Sequence, residues 1–328
     1  MKRVAAAAVC FAVLCAPASA AAPGKSWAAR EIEVVTQRGV FATTPEDFRP
    51  DETLTAGTLA RVVAALTETD AAPPASPGAP VTIAQLDAAL VKSLGLGDAA
   101  AGFYRGARRA GLSPPPRFGT EVVARLLGLR TNHPAPQDSL ELQPQDPATR
   151  AEAAYSAARI LGFEGWEAGA AKQAALEFVL PELTSWQRKV LQTAVSLIGY
   201  PYVWAGEDER TERGFDCSGF VWRVYKLTPY AGAPGLAATL RGRTTFALSG
   251  EVPRAKRIGI DELQPGDVLF FGKGPRSKPK EVDHAGIYLG GGWFIHSSGF
   301  GVALAPLAGW YRDGFAWARR PLAEAGLE

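Results

Sequence analysis

Of the three cysteines in this chain, Cys10 and Cys15 fall in an N-terminal apolar leader, which leaves Cys217 alone in the remainder. A lone thiol closes no internal disulfide, so the fold must be held by ordinary burial of apolar side chains. A content of 47% hydrophobic residues supplies that burial. Cys217 is then either a small packed hydrophobe or a nucleophile. Its setting points to the second reading. Asp216 and Ser218 are helix-start residues, and Phe220, Val221, Val224 and Tyr225 follow at one-face helical spacing. This puts Cys217 at the N-terminus of a half-buried helix, where the helix dipole and unpaired N–H groups favour a thiolate.

The leader reads as an export signal over residues 1–20. Met1-Lys2-Arg3 is basic, residues 4–16 are an apolar run too short to span a bilayer, and Ala18-Ser19-Ala20 supplies the small residues of a cleavage site. Cys15 follows Leu14 rather than a small residue, which argues against lipid anchoring. No later segment reaches membrane-spanning length, so the expectation is a secreted protein with no membrane contact after signal cleavage. The length after the leader suits two domains. A formal net charge of +2 argues against a nucleic-acid partner, and 3 histidines beside one mature cysteine leave too few ligands for a zinc site. No metal and no cofactor are expected.

Residues 21–165 read as a helical repeat. Trp27-Ala28 opens a helix closed by Gly39, Phe48 and Pro50 lie in a loop, and Thr53-Leu54-Thr55 caps a second helix bearing Leu59, Val62, Val63 and Leu66. The pattern returns at Thr82, with Ile83, Leu86, Leu90 and Leu94, and again at Thr149-Arg150-Ala151-Glu152, while Phe103-Tyr104 to Gly111 echoes the opening helix. Repeated units of this kind bury one another's faces. The arrangement resembles S-layer homology modules over residues 27–163. That resemblance implies binding of an anionic secondary cell-wall polysaccharide through the helix-start arginine, here Arg150, whose guanidinium fork suits a carboxylate. The first unit has Thr55-Ala56-Gly57 at the corresponding place, without arginine, so a helical spacer that binds nothing stays open. His133 reads as a solvated loop residue. Residues 71–80 form an Ala/Pro-rich connector, and residues 166–183 a hinge with a short helix.

The second domain is expected over residues 184–321, with a tail at 322–328. Thr184-Ser185 starts a helix with Val190, Leu191, Ala194, Val195 and Ile198 as its buried stripe. Val268-Leu269-Phe270-Phe271 reads as a buried strand after the turn Leu263-Gln264-Pro265-Gly266-Asp267. Two β-rich runs, starting at His284 and Trp293, flank Gly290-Gly291-Gly292. A hairpin centred on Gly290 predicts His284 directly opposite His296 on one face, with Cβ atoms about 4.5–5.5 Å apart. Two adjacent histidines and one cysteine at a helix start are the parts of a thiol hydrolase.

Gly199-x-Pro201-Tyr202-x-Trp204, Phe215-Asp216-Cys217-Ser218-Gly219, Leu263-x-Pro265-Gly266-Asp267, His284-x-Gly286-Ile287-Tyr288 and Ile295-His296 together resemble the NlpC-type cell-wall endopeptidases, a papain-like family. The resemblance implies an α+β fold, a papain-like antiparallel sheet of five to six strands packed on the cysteine-bearing helix, beside the mostly α-helical repeat domain. By motif, Cys217 is the nucleophile, His284 the general base and His296 the third polar member. Tyr202 matches a tyrosine over the cysteine that helps hold the oxyanion, with backbone N–H at Cys217 as the other donor. Asp216 and Ser218 match positions that meet the free amine of a stem peptide; helix capping is the structural alternative for Asp216. The implied substrate is peptidoglycan, cut between D-glutamate and a diamino acid by a wall-associated enzyme. The chain departs from the family pattern at Ala205, where a glycine is usual, in the excursion 207–213, and in the inserted stretches 228–240 and 272–283. The second of these carries Lys273, Arg276, Lys278 and Lys280. Two rivals remain: an inactive or autoinhibited wall-binding protein, and a papain-like amidase or acyltransferase acting on another amide.

Overall fold

The computed structural model describes residues 26–132 and 141–327; the leader with Cys10 and Cys15, and also His133, lie outside the described residues. No helix among the described residues is long and apolar enough to cross a membrane.

The first half is built from α1 (Ala29–Gln37), α2 (Ala56–Thr67), α3 (Ile83–Ser93), α4 (Gly97–Arg109), α5 (Phe118–Leu126) and α6 (Arg150–Leu161). Threonine starts three of these helices. The side chains of Thr55, Thr82 and Thr149 accept from the N–H groups of Thr58, Gln85 and Glu152, and Gln85 completes a capping box. The residue before each cap closes a ring of backbone bonds. Leu54 N–H donates to Ala148 O at 2.8 Å, Ala148 N–H to Val81 O at 2.8 Å, and Val81 N–H to Leu54 O at 3.0 Å. All three are buried, so the ring satisfies polar groups that the helix starts would otherwise leave orphaned. The three helix starts are thereby locked around one point, and their apolar stripes share a core.

Residues 166–183 carry α7 (Glu167–Glu177) and an extended stretch leading to α8 (Ser185–Ser196). Phe178, in that stretch, is fully buried; its ring centroid lies 5.1 Å from Phe103, 6.5 Å from Phe118 and 5.4 Å from Trp293. The aromatic cluster therefore takes members from both halves of the chain.

After α8 come the short strands β1 (Glu207–Asp208) and β2 (Gly214–Phe215), then α9 (Cys217–Trp222), which widens into a π-helical turn over Arg223–Leu227. Two short helices, α10 (Leu236–Thr239) and α11 (Thr245–Gly250), precede the main sheet. That sheet comprises β3 (Val268–Phe271), β4 (His284–Gly290), β5 (Trp293–Ser298), β6 (Gly301–Pro306) and β7 (Phe315–Arg319), with α12 (Trp310–Gly314) between the last two. Its order is β6-β5-β4-β3-β7 and every neighbouring pair is antiparallel. Alternation sorts the two faces. Val268, Phe270, Ala285, Ile287 and Ile295 join the core with Phe220, Val221, Val224 and Tyr225 of the cysteine helix, whereas Leu269, Phe271, Phe294 and Phe315 form a second cluster on the other face. This is an α+β fold with a helical first half.

Truncation of Phe178 to alanine should destabilise the protein by about 3–5 kcal/mol, the range for a large buried aromatic. Urea unfolding followed by circular dichroism and by tryptophan fluorescence should show the loss in both signals. An unchanged midpoint would mean that the two halves do not share this core.

Candidate active site

The site is assembled around the start of α9. Asp216 is its N-cap: Oδ1 accepts from Gly219 N–H at 2.5 Å and from the Ser218 hydroxyl at 2.9 Å. The segment before it is pinned from two sides. Phe215 N–H donates to Pro201 O at 3.1 Å, Val203 N–H donates to Phe215 O at 3.2 Å, and the Ser297 hydroxyl donates to Phe215 O at 2.7 Å. Tyr202 lies alongside Phe215 in a parallel bridge, two residues from Cys217. Asp216 N–H donates to Gly206 O at 3.0 Å, and a Cβ on Gly219 would run into that same carbonyl, so only glycine lets the 199–206 loop close over the helix. Ala205 adopts a φ of 62°, the left-handed conformation that explains why glycine is usual at this place.

Cys217 is buried, and its Sγ lies 3.9 Å from the carbonyl of Asp283, the residue before β4. His284 is the first residue of that strand. Its Nε2 stands 2.7 Å from His296 Nδ1, with the two rings nearly perpendicular at 87°. Phe271, Phe294 and Tyr311 wall the pair: Phe271 lies 5.7 Å from the His284 ring, Phe294 4.8 Å from the His296 ring, and the Tyr311 hydroxyl 3.5 Å from His296 Nε2.

The two imidazoles meet, but not through the register expected from the sequence. The hairpin pairs Ile287 with Ile295 and Tyr288 with Phe294, then shifts, so that Gly290 pairs with Trp293. Gly286, not His284, therefore comes level with His296, and a Cβ there would lie 3.1 Å from His296 Cβ. The cause is the turn, in which Gly290, Gly291 and Gly292 all take positive φ and Leu289 forms an irregularity. The histidines are diagonal neighbours, and the missing side chain at Gly286 gives them room to touch.

The electrostatics also depart from what a helix start alone suggests. Burial, and then the Asp216 charge, push the Cys217 thiol up to about 11, outweighing the backbone N–H groups of Ala285, Ser218 and Cys217 that pull it down. Burial holds His284 down to about 4 and His296 well below its ordinary value, His284 adding to the latter. Both shifts act toward the neutral forms, a thiol at Cys217 and neutral rings at His284 and His296.

Two residues that sequence reasoning passed over enter the site. Tyr311 comes from α12 and reaches His296. Arg243, next to an inserted stretch, reaches Asp216 and Ser218. Neither has a local signal, because both arrive through long-range packing. In the basic stretch, Lys273 lies 3.3 Å from Glu281, while Arg276, Lys278 and Lys280 are exposed.

Arg150 belongs to a separate place in the helical half, a concavity of about 230 Å³ lined by Gly39, Phe41, Thr43, Thr58, Arg61 and Arg150. Its Nε donates to Phe48 O at 2.7 Å, and its guanidinium lies over the Phe48 and Phe41 rings at 4.8 and 5.4 Å. Arg61 adds a second guanidinium that the sequence reading missed.

Two stretches of the chain are similar to known families. Residues 199–319 match the NlpC/P60 family and residues 22–57 match the S-layer homology domain, the two families whose motifs the chain resembles. The second match spans α1, the loop after it and only the first two residues of α2. A probable endopeptidase of Mycobacterium tuberculosis is 36% identical over 130 residues, which is 39% of this chain and 28% of that protein. The gamma-D-glutamyl-L-lysine dipeptidyl-peptidase of Bacillus subtilis is 32% identical over 119 residues, covering 35% of this chain and 33% of that one. This chain therefore spans a third or less of the length of these two relatives. A solved NlpC/P60 family protein from Bacillus cereus aligns with 28% identity and a TM-score of 0.34, over 44% of this chain and 43% of its own.

The resting thiol can be read directly. Alkylation of Cys217 by iodoacetamide should keep accelerating with pH up to about 11, the value to which burial moves the thiol. A rate that levels off at neutral pH would show a preformed thiolate and overturn the neutral-pair description.

Proposed function

We propose that the protein is a secreted cysteine peptidase that hydrolyses peptidoglycan stem peptides, between D-glutamate and a diamino acid, while its helical repeats hold it at the cell wall. The observation that carries this reading is the 2.7 Å contact between His284 Nε2 and His296 Nδ1 beside the buried Cys217. It is supported by the NlpC/P60 match and by the endopeptidase and dipeptidyl-peptidase relatives. In this reading the catalytic residues are Cys217, His284 and His296, and Tyr202, Asp216 and Ser218 contact substrate. The domain limits follow those of the sequence: repeats over 21–165, a connection over 166–183 and the peptidase over 184–321.

The chemistry follows from the neutral pair. His296 occupies Nε2 of His284, which leaves Nδ1 to accept the thiol proton as Sγ attacks the scissile carbonyl carbon. The carbonyl π-bond opens to an oxyanion, which the Cys217 N–H and Tyr202 stabilise. Collapse breaks the C–N bond, and the proton held at Nδ1 passes to the departing amine. Water then adds to the thioester, giving its proton to His284, and the acid leaves as the thiol is restored. Since the charged forms appear only once reaction begins, the attraction between the imidazolium and the developing negative charge acts where it lowers the barrier.

Incubation of the protein lacking residues 1–20 with purified peptidoglycan should release free amines, and the Cys217→Ala variant should release none. Mass analysis of the fragments would identify the bond. Silence from both proteins, each normally folded, would overturn the peptidase reading and leave the wall-binding and other-amide rivals.

The Arg150 concavity is the proposed seat of an anionic wall polymer, with the Arg61 and Arg150 guanidinia facing its carboxylates. Loss of a charge-assisted bond of this kind lowers affinity about tenfold or more. Co-sedimentation with polymer-bearing cell walls should weaken by that factor for Arg150→Ala and for Arg61→Ala. Equal binding by wild type and both variants would remove the concavity from consideration.

A further inference from the structure

Three donors of the helical half meet the backbone of the loop that carries Tyr202. Arg117 is the N-cap of α5, Arg125 lies in its last turn, and Asn132 follows it in the chain. Arg117 Nη2 donates to Ser196 O at 3.1 Å and to Ile198 O at 3.0 Å. Arg125 Nη2 donates to Gly199 O at 2.7 Å, and its Nη1 to Phe300 O. Two acceptors face the Asn132 amide, Tyr202 O at 2.8 Å and Glu141 Oε1 at 3.0 Å, so its nitrogen is the end that points at them. The backbone N–H of Asn132 donates to Gly299 O at 2.6 Å. Taken in chain order, the three side chains meet carbonyls of one segment in the same order.

The fit is close enough to dictate a residue type. Gly199 has a φ of 90°, and a Cβ on it would lie 2.7 Å from the carboxylate of Glu121, the partner of Arg125. Gly199 N–H donates to Val302 O at 3.0 Å and Val302 N–H to Tyr200 O at 2.7 Å, so the loop and the start of β6 are held as one piece. The three donors all precede residue 199, where the NlpC/P60 match begins, and so belong to this chain's own helical half. Tyr202 is thereby held from both sides, by Asn132 on one and by the bridge to Phe215 on the other. An oxyanion donor is effective when it is in place before charge develops, because no reorganisation is then needed as the carbonyl opens.

We infer that Asn132 and Arg125 are positioning residues for Tyr202, so that the helical half completes the active site instead of only carrying it to the wall. The inference rests on the peptidase reading and on Tyr202 as its oxyanion donor.

The test uses the whole chain lacking residues 1–20 and a soluble tripeptide of alanine, γ-linked D-glutamate and a diamino acid. Asn132→Ala should lower kcat about tenfold and leave KM little changed, since the lost order matters in the transition state. In a Tyr202→Phe background the same substitution should cost less than about twofold, because the group it positions is already gone. Arg125→Lys keeps a charge beside Glu121 but offers one ammonium for two carbonyls, and should also lower kcat. Backbone hydrogen exchange over residues 199–206 should quicken in both variants, with the sheet unchanged. An unchanged kcat, a loss confined to KM, equal losses with and without the Tyr202 hydroxyl, or unaltered exchange in the loop would each overturn the inference and leave the peptidase reading standing. No turnover of the tripeptide or of peptidoglycan by the folded wild-type protein would instead sink the peptidase reading, and the inference with it.

Discussion

The carboxylate of Asp216 is the constraint on which the rest of the site depends, because one group serves three purposes that pull against each other. As N-cap it satisfies the Gly219 N–H and fixes where α9 begins, and so where the Cys217 side chain points. As an anion beside a buried sulfur it raises the thiol, the second cause after burial itself. As the partner of Arg243 it anchors the 205–207 loop. A neutral cap such as serine would relieve the second effect and lose the third. The guanidinium reconciles the three: it offsets the charge that opposes the thiolate without removing the oxygen that caps the helix.

The site is also backed from the helical half. Arg125 of α5, paired with Glu121 at 3.3 Å, donates to Gly199 O at 2.7 Å and to Phe300 O. Arg117 donates to Ile198 O at 3.0 Å, and Gln143 reaches Glu209 O and Arg213 O at 2.7 and 3.0 Å. These contacts fall on the start of the loop that carries Tyr202, on the turn between β5 and β6, and on the excursion after the loop. Behind Arg125 lies a buried ion group in which Arg130 meets Glu152 at 2.5 Å and Asp87 at 3.9 Å. Burial, the largest cause, raises Asp87 to about 7 against the pull of Arg130. Removing one member of such a group strands another in a poor dielectric. The helical half is thus a structural wall of the half that carries Cys217, as well as a candidate anchor.

Much of this was legible in the sequence because its cause is local. Thr55, Thr82, Thr149 and Thr184 cap helices by side-chain chemistry that spans three residues, and all four do so in the fold. The apolar spacing after Cys217 and the run at Val268 report burial through periodicity alone. The hairpin register was not legible, because it is set by how three consecutive glycines distribute positive φ and by an irregularity at Leu289, choices that a glycine run leaves open. Arg125, Arg243 and Tyr311 were not legible either. Each acts on residues distant in the chain, and a lone arginine or tyrosine in a loop carries no sign of where it will fold back.

The histidine pair shows how the hidden residues complete the legible ones. A contact at 2.7 Å between two ring nitrogens admits one proton, so the pair must choose a direction. If His284 accepts from the thiol at Nδ1, its resting proton sits on Nε2 and points at His296 Nδ1, which must then be bare. Neutral His296 accordingly carries its proton on Nε2, where the Tyr311 oxygen lies 3.5 Å away. Phe271 and Phe294 surround the pair with ring edges and faces that offer no competing acceptor. The aromatic wall therefore does more than bury the imidazoles and lower their basicity. It leaves the two imidazoles and the tyrosine a single consistent direction of donation, from His284 to His296 to Tyr311.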